Sequence, residues 1–215
     1  MRYKIVILGA SYLQKPLIEK AKELNAETHV FVWVRGAIAK DIANYFYPIS
    51  IIEKEKILNV CKKIKPDGVT SIGSDLAMPT VNYIASELSL VGNSLESTIK
   101  STDKYEMRKA LADANIPCPN FTYCDKPNFD NRENFNFPLI VKPTDRSGSR
   151  AVTKVNCILE TNKAISKALE HSIKKRVIVE EFIQSNREFS VEFISFKGVH
   201  YPLAITDKVT TGAPF

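Results

Sequence analysis

The 215-residue chain is poor in glycine, with eight, and contains one tryptophan, three histidines and four cysteines. No glycine precedes a lysine, which excludes a Walker phosphate loop. Cys61, Cys118, Cys124 and Cys157 form no CxxC pair and have no histidine at ligand spacing, which argues against a zinc site. Long apolar runs are also missing. Ile5 to Ala10 and Val30 to Val34 fall far short of the ~20 residues of a membrane helix. Arg2 and Lys4 precede an apolar run too short for a secretion signal, and Lys15, Glu19 and Lys20 follow it. The expectation is a cytoplasmic protein with reduced thiols and no membrane partner. A dense basic stripe is lacking too. The net charge of +6 comes from 30 Lys and Arg against 24 Asp and Glu. Its clusters, Lys62, Lys63, Lys65 and Lys174, Lys175, Arg176, fall where solvated helix ends would lie. No nucleic-acid partner is expected, whereas a small polyanion such as a nucleotide suits a mild positive balance.

What is present, 44% hydrophobic and 25% charged residues, is the composition of a folded domain. The first half alternates strand and helix. Tyr3 to Leu8 reads as a buried parallel strand ending at Gly9. A helix follows with Leu13, Leu17, Ala21 and Leu24 on one face. His29 to Val34 is a second strand, Ile57, Cys61 and Ile64 mark a helix stopped by Pro66, and Val69 to Ile72 is a third strand. A helix bearing Met78, Val81, Ala85 and Leu88 leads to a short strand at Leu90-Val91. Repeated βα units predict a doubly wound α/β domain. Beyond Ser94 the pattern changes. Ser101, Thr102 and Asp103 offer N-caps for a helix through Ala114, closed by Pro117 and Pro119. Lys126 to Asn136 is a polar surface loop. Strands at Pro138 to Lys142, Val152 to Val155, Arg176 to Phe182, Glu188 to Ser195 and Val199 to Thr206, with a helix from Leu159 to Ile173, make the second half α+β.

Three segments carry candidate chemistry. Gly9-Ala10-Ser11-Tyr12-Leu13-Gln14 has one of the three glycines that a dinucleotide fingerprint requires. Arg35 ends the second strand where a carboxylate would hold an NAD ribose, so an NADP-binding Rossmann protein survives only through that arginine. The second segment is the strand ending Ile140-Val141-Lys142-Pro143, followed by Thr144-Asp145-Arg146-Ser147-Gly148-Ser149-Arg150. A lysine at the mouth of a buried strand needs an anion, and a loop of small, hydroxylated and cationic residues can fold over phosphates. A solvated hairpin loop with a snorkelling lysine is the alternative. In the third, Val179-Glu180-Glu181-Phe182-Ile183 ends an apolar strand with two carboxylates, which a plain core strand avoids. Adenine needs an acceptor for its amine, a backbone donor and apolar walls, and this segment supplies them. Glu188, Ser190 and Glu192 then share one strand face, where Glu188 is placed to accept ribose hydroxyls. An edge strand with a polar face is the plain alternative.

The order of these segments resembles the ATP-grasp superfamily, in particular the carbamoyl-phosphate-synthase-type and purine-pathway carboxylate–amine ligases. The carrying stretches are Thr102-Asp103-Lys104 with its helix, the strand ending at Lys142 with its Ser/Gly loop, and Val179 to Ile183 followed by Arg187-Glu188-Phe189-Ser190. Gly9-Ala10-Ser11 with Gln14 and Pro16, and Ser74-Asp75 through Pro79, also resemble ligases of this type. The resemblance implies a Rossmann-like pre-ATP-grasp α/β domain over 1–116. An α+β ATP-grasp small subdomain with a phosphate lid would span 117–182, and the start of the C-terminal lobe 183–215. It implies that Lys104 and Lys142 hold ATP phosphates, with Arg146 adding charge and Ser147, Gly148, Ser149 and Arg150 forming the lid. Ile140 would line the adenine slot, Glu180 would accept the N6 amine, the backbone of Glu181, Phe182 and Ile183 would read the ring edge, and Glu188 would bind ribose. Gly9, Ser11, Ser74 and Asp75 would lie on the substrate side. The implied reaction uses ATP and Mg²⁺ to phosphorylate a small-molecule carboxylate, and an amine or ammonia then displaces the acyl phosphate.

The chain departs from the pattern at Ala151, where a glycine is common, and at Ser185-Asn186, which leaves the register between Glu180 and Glu188 open by one residue. Asp207 and Lys208 fall near the expected substrate region. Metal-binding and catalytic residues are expected beyond Phe215, with none in this chain, so a truncated ligase and a non-catalytic nucleotide-binding module both stand as readings. A homodimer is compatible with either.

Overall fold

The computed structural model describes residues 2–130, 134–185 and 187–209. The chain forms two compact units, Met1–Ala114 and Asn115–Phe215. In the first, β1 (Lys4–Leu8) lies between β2 (Glu27–Phe31) and β4 (Gly68–Thr70), with β3 (Tyr45–Tyr47) outside β2, and every pairing is parallel. A parallel sheet is buried on both faces, which is why β1 reads as a continuous apolar run. Helices α1 (Lys15–Glu23), α2 (Lys54–Ile64) and α3 (Met78–Glu87) cover it. Val6, Leu8 and Phe31 pack against Ile57, Cys61 and Ile84 in one cluster, and Ile7 and Val30 against Ile18 and Ala21 in another. Each fully buried Ile, Leu or Phe among them contributes about 1.5–3 kcal/mol.

Several expectations need correction. The buried side of α1 carries Gln14, Ile18 and Ala21, while Leu13 and Leu24 are exposed. The helix begins at Lys15 with Pro16 in its first turn, so steps of three and four from Gln14 set the inward face, one residue out of phase with the leucines. β2 stops at Phe31, and Trp33 and Val34 are exposed. Leu90-Val91 forms no strand, and Val91 is exposed. Two helices replace one near Asp103. α4 (Leu95–Thr102) is capped by Ser94, whose Oγ accepts the Ser97 N–H at 3.0 Å. Asp103 ends it and caps α5 (Lys104–Asp113), accepting from Tyr105 N–H at 3.1 Å.

The second unit holds an antiparallel sheet in the order β5 (Phe121–Cys124), β8 (Val177–Glu181), β6 (Leu139–Pro143), β7 (Thr153–Val155), with α6 (Ile158–His171) on one face. β9 (Phe189–Phe196) and β10 (Val199–Asp207) make a separate antiparallel pair. The segment 126–136 is a loop in its described part, yet Phe129 in it is buried; residues 131–133 lie outside the described set.

Candidate functional site

Strand periodicity divides the second sheet chemically. Leu139 and Val141 of β6, Val177 and Val179 of β8, Val155 of β7 and Cys124 of β5 face α6 and join Ala164, Ile165 and Ala168 in one core. The residues between them necessarily point the other way. In register, Ile140 stands opposite Glu180 and Lys154, Lys142 opposite Ile178, Phe121 opposite Glu180, and Tyr123 opposite Ile178. This second face is therefore Ile140, Lys142, Lys154, Ile178 and Glu180, flanked by two aromatic residues of β5.

Lys142 and Glu180 are diagonal neighbours on that face, and the Lys142 ammonium donates a charge-assisted hydrogen bond to Glu180 Oε1. Their side chains are 18% and 6% exposed. Two charges this far from water are tolerated because each is the other's partner. The loop leaving β6 is locally strained. Gly148, Ser149 and Ala151 all have left-handed backbone, with φ of 68°, 53° and 54°, and Ala151 occupies the position where a glycine relieves about 1–2 kcal/mol. Ser147, Gly148, Ser149 and Arg150 are exposed, and a side chain on Gly148 would meet nothing within 4 Å. At its root two polar atoms are stranded. Thr144 Oγ1 and Asp145 Oδ1 are buried without a hydrogen-bond partner among the described residues, although Asp145 Oδ2 accepts the Lys174 N–H at 2.6 Å.

The structure thus brings Ile140, Lys142 and Glu180 together, with the 147–150 loop one turn beyond. It modifies three other expectations. The Glu181 N–H is given to Asn120 O at 3.0 Å, and its carboxylate accepts the Asn136 N–H at 2.7 Å. Phe182 N–H goes to Pro138 O at 3.0 Å. The backbone donors of Glu181 and Phe182 are therefore spent on the fold; the N–H of exposed Ile183 has no such bond among the described residues. Glu188 Oε1 accepts from Lys208 Nζ at 2.5 Å, and Arg187 clamps Asp207 through both carboxylate oxygens at 2.9 and 2.8 Å. Glu188, Asp207 and Lys208 accordingly stand in ion pairs across the hairpin base. Asn186, in the turn whose register was open, lies outside the described residues.

In the first unit, Lys104 opens α5. Gly9, Ser11 and Ser74 sit at the C-terminal edge of the parallel sheet, where Gln14 accepts the Ser11 N–H at 3.1 Å and donates to Ile72 O at 2.5 Å. Arg146 donates to His171 O at 2.6 Å at the end of α6. Sequence reasoning missed Lys154, whose Nζ lies 3.9 Å from the Phe182 ring centroid, and the aromatics of β5. The alternation of β7 could have exposed Lys154; β5 becomes legible only through its pairing with β8. Among the described residues no group of three or more His, Cys, Asp or Glu could hold a metal ion. Cys61 and Cys124 are pushed by burial up to about 12 and about 11, so neither is a thiolate nucleophile at neutral pH.

An ATP-grasp domain model matches residues 101–213, just over half of the chain. The chain belongs to the ATP-grasp family. It is 29% identical over 196 residues to a formate-dependent phosphoribosylglycinamide formyltransferase of Prochlorococcus marinus, covering 87% of this chain and 50% of that protein. It is 31% identical over 155 residues to the carbamoyl phosphate synthase large chain of Caldanaerobacter subterraneus, covering 70% of this chain and 14% of that one. The L-amino acid ligase of Bacillus licheniformis superposes with a TM-score of 0.79 at 22% identity, covering 100% of this chain and 52% of the ligase. The chain spans about half the length of the formyltransferase and the ligase. The mixed fold, a parallel α/β sheet followed by antiparallel sheets, is thus an ATP-grasp fold. No helix among the described residues is long and apolar enough to cross a membrane.

Proposed function

We propose that the chain binds ATP on the Ile140–Lys142–Ile178–Glu180 face of the β5-β8-β6-β7 sheet and supplies the nucleotide site of an ATP-dependent carboxylate–amine ligase. The observation that carries this reading is the buried Lys142–Glu180 pair set beside Ile140 on a sheet whose other face packs Leu139, Val141, Val177 and Val179 against α6. A core has no use for two charges there, and replacing such a pair by apolar residues is commonly neutral or stabilising. A nucleotide does use them. Glu180 accepts the N6 amine, Ile140 and Ile178 line the ring, Lys142 takes phosphate, and the 147–150 loop, with Arg150, covers it. The Ile183 N–H and the Glu181 carbonyl face the ring edge. In this reading the chain is divided at 1–116, 117–182 and 183–215.

In this reading the γ-phosphoryl passes to a small-molecule carboxylate, and an amine or ammonia displaces the acyl phosphate with release of inorganic phosphate. Phosphoryl transfer depends on positioned cations more than on covalent chemistry, which matches a site made of lysines, an arginine and a backbone loop. The described side chains do not fit a resident Mg²⁺ site; such an ion would enter with the nucleotide. The printed name of the Bacillus licheniformis neighbour, an L-amino acid ligase, supports a ligase-type reaction, and the family membership supports ATP as the nucleotide.

Calorimetric titration with ATP and GTP tests the adenine assignment. ATP should bind at least about tenfold tighter, because the 6-oxo group of guanine would face the Glu180 carboxylate, acceptor against acceptor. Equal affinity, or no binding of either, would remove Glu180 from the site.

A further inference from the structure

Lys154 and Phe182 meet on the second sheet although their strands are not neighbours. Val155 is buried against α6, so Lys154, the residue before it in β7, leaves the opposite face. Lys154 stands level with Ile140 of β6. Phe182 directly follows β8, and its N–H donates to Pro138 O at 3.0 Å. β6 lies between β7 and β8, yet the Lys154 ammonium is 3.9 Å from the Phe182 ring centroid. The two side chains therefore join across β6. An ammonium over an aromatic face is attracted by the ring quadrupole, more strongly where water is partly excluded, and both residues are half-buried.

The ring is the partner this lysine has. Ile140 is flanked in register by Lys154 on one side and Glu180 on the other, but Glu180 is paired with Lys142. Among the described residues Lys154 makes no ion pair and no side-chain hydrogen bond. The segment after β8 loses its other anchors at the same point. Glu181 is fixed through its N–H to Asn120 O and through its carboxylate from Asn136. Ile183 and Gln184 are exposed, lie outside regular structure and make no hydrogen bond among the described residues. The Phe182 ring is thus the last hold on the backbone immediately before the Ile183 N–H.

We infer that Lys154 is a positioning residue for the nucleotide base. By holding the Phe182 ring it fixes the direction of the Ile183 N–H, and so it sets the preference for adenine without touching the nucleotide. The inference rests on the ATP-binding reading and adds a residue to that site. A phosphate role fits less well. Lys142 lies two residues further along β6 toward the 147–150 loop, whereas Lys154 is level with Ile140, on the side assigned to the ring.

ATP and GTP carry the same phosphates, so the ratio of their affinities reports the base alone. ATP is titrated calorimetrically, and GTP by displacement of ATP, into the wild type, Lys154→Met, Lys154→Arg and Phe182→Leu, with folding checked by circular dichroism. Lys154→Met should weaken ATP by about fivefold and leave GTP within about twofold. Lys154→Arg should restore the ratio, because a guanidinium also stacks on the ring. Added to Phe182→Leu, Lys154→Met should cost less than about twofold, since its partner is already gone. Lys154→Gln, polar at a half-buried site, replaces the methionine variant should that one not fold. Equal weakening of ATP and GTP would make Lys154 a phosphate ligand and overturn the inference. Unchanged ATP affinity, or a full effect of Lys154→Met in the Phe182→Leu background, would overturn it as well. Absence of ATP binding by the wild type removes the nucleotide reading beneath it, whereas ATP binding with an unmoved ratio overturns the positioning role alone.

Discussion

β6–β8 and β9–β10 are both antiparallel ladders, and they treat their side chains in opposite ways. The first is short, with five residues in each strand, and Leu139, Val141, Val177 and Val179 are fully buried against α6. The second is longer, with eight and nine residues, yet Phe193, Ile194, Phe196, Tyr201 and Ile205 are all more than half exposed. Strand length therefore does not decide where stability sits; cover by a third element does. The hairpin is held by its ladder and by two ion pairs at its base, Arg187–Asp207 and Lys208–Glu188. Exposed pairs of that kind contribute about 0–1 kcal/mol each. The covered sheet can carry a buried ion pair because its other face supplies the free energy of folding.

The largest expected effect comes from unbalancing that pair. Lys142→Met removes the lysine partner of buried Glu180 and should cost about 3–5 kcal/mol in denaturant unfolding, whereas Lys142→Met with Glu180→Met should recover most of it. A single variant as stable as the wild type would show that the pair is solvated. Next, Ile178→Ala in β8 should cost about 2–5 kcal/mol and Ile194→Ala in β9 less than about 0.5. Equal costs would mean that the hairpin face is covered.

The same contrast explains what was readable in advance. β1, β6 and β8 announce themselves as apolar runs, and α2 and α6 by their periodicity, because local pattern and burial agree. The face proposed for the nucleotide was half legible. Lys142 and Glu180 stand out as charges on apolar strands, but their meeting depends on the register Ile140↔Glu180, which no local pattern encodes. β3 and β5 are three and four residues long and exist through their neighbours. α4 buries only Thr98, so no apolar stripe marks it. In β9 the alternation suggested one buried face, and both proved exposed, since alternation describes the strand and says nothing of its cover.

Titration separates the two regions further. Cys124 lies in β5, and its thiol is raised from 9.0 to about 11 by burial, then by the charges of Asp125 and Asp130. The neutral thiol's contribution is complete below pH 9 and is lost as pH rises through about 11, by at most about 1.4 kcal/mol per unit. Cys124→Ala should flatten that part of the stability–pH curve, and an unchanged slope would place the thiol in contact with water. Smallest is Thr144→Val, which removes a stranded hydroxyl. It should raise stability by about 1 kcal/mol. A loss of stability would reveal a partner for Thr144 Oγ1 in solution.

We propose that the charged pair on the covered sheet exists for a nucleotide. Titrating ATP calorimetrically into the wild type and into the Lys142→Met, Glu180→Met double variant, with folding of both checked by circular dichroism, tests it most directly. Saturable binding by the wild type, weakened by about tenfold to a hundredfold in the folded double variant, is the predicted result. Equal ATP affinity in the two proteins would contradict it.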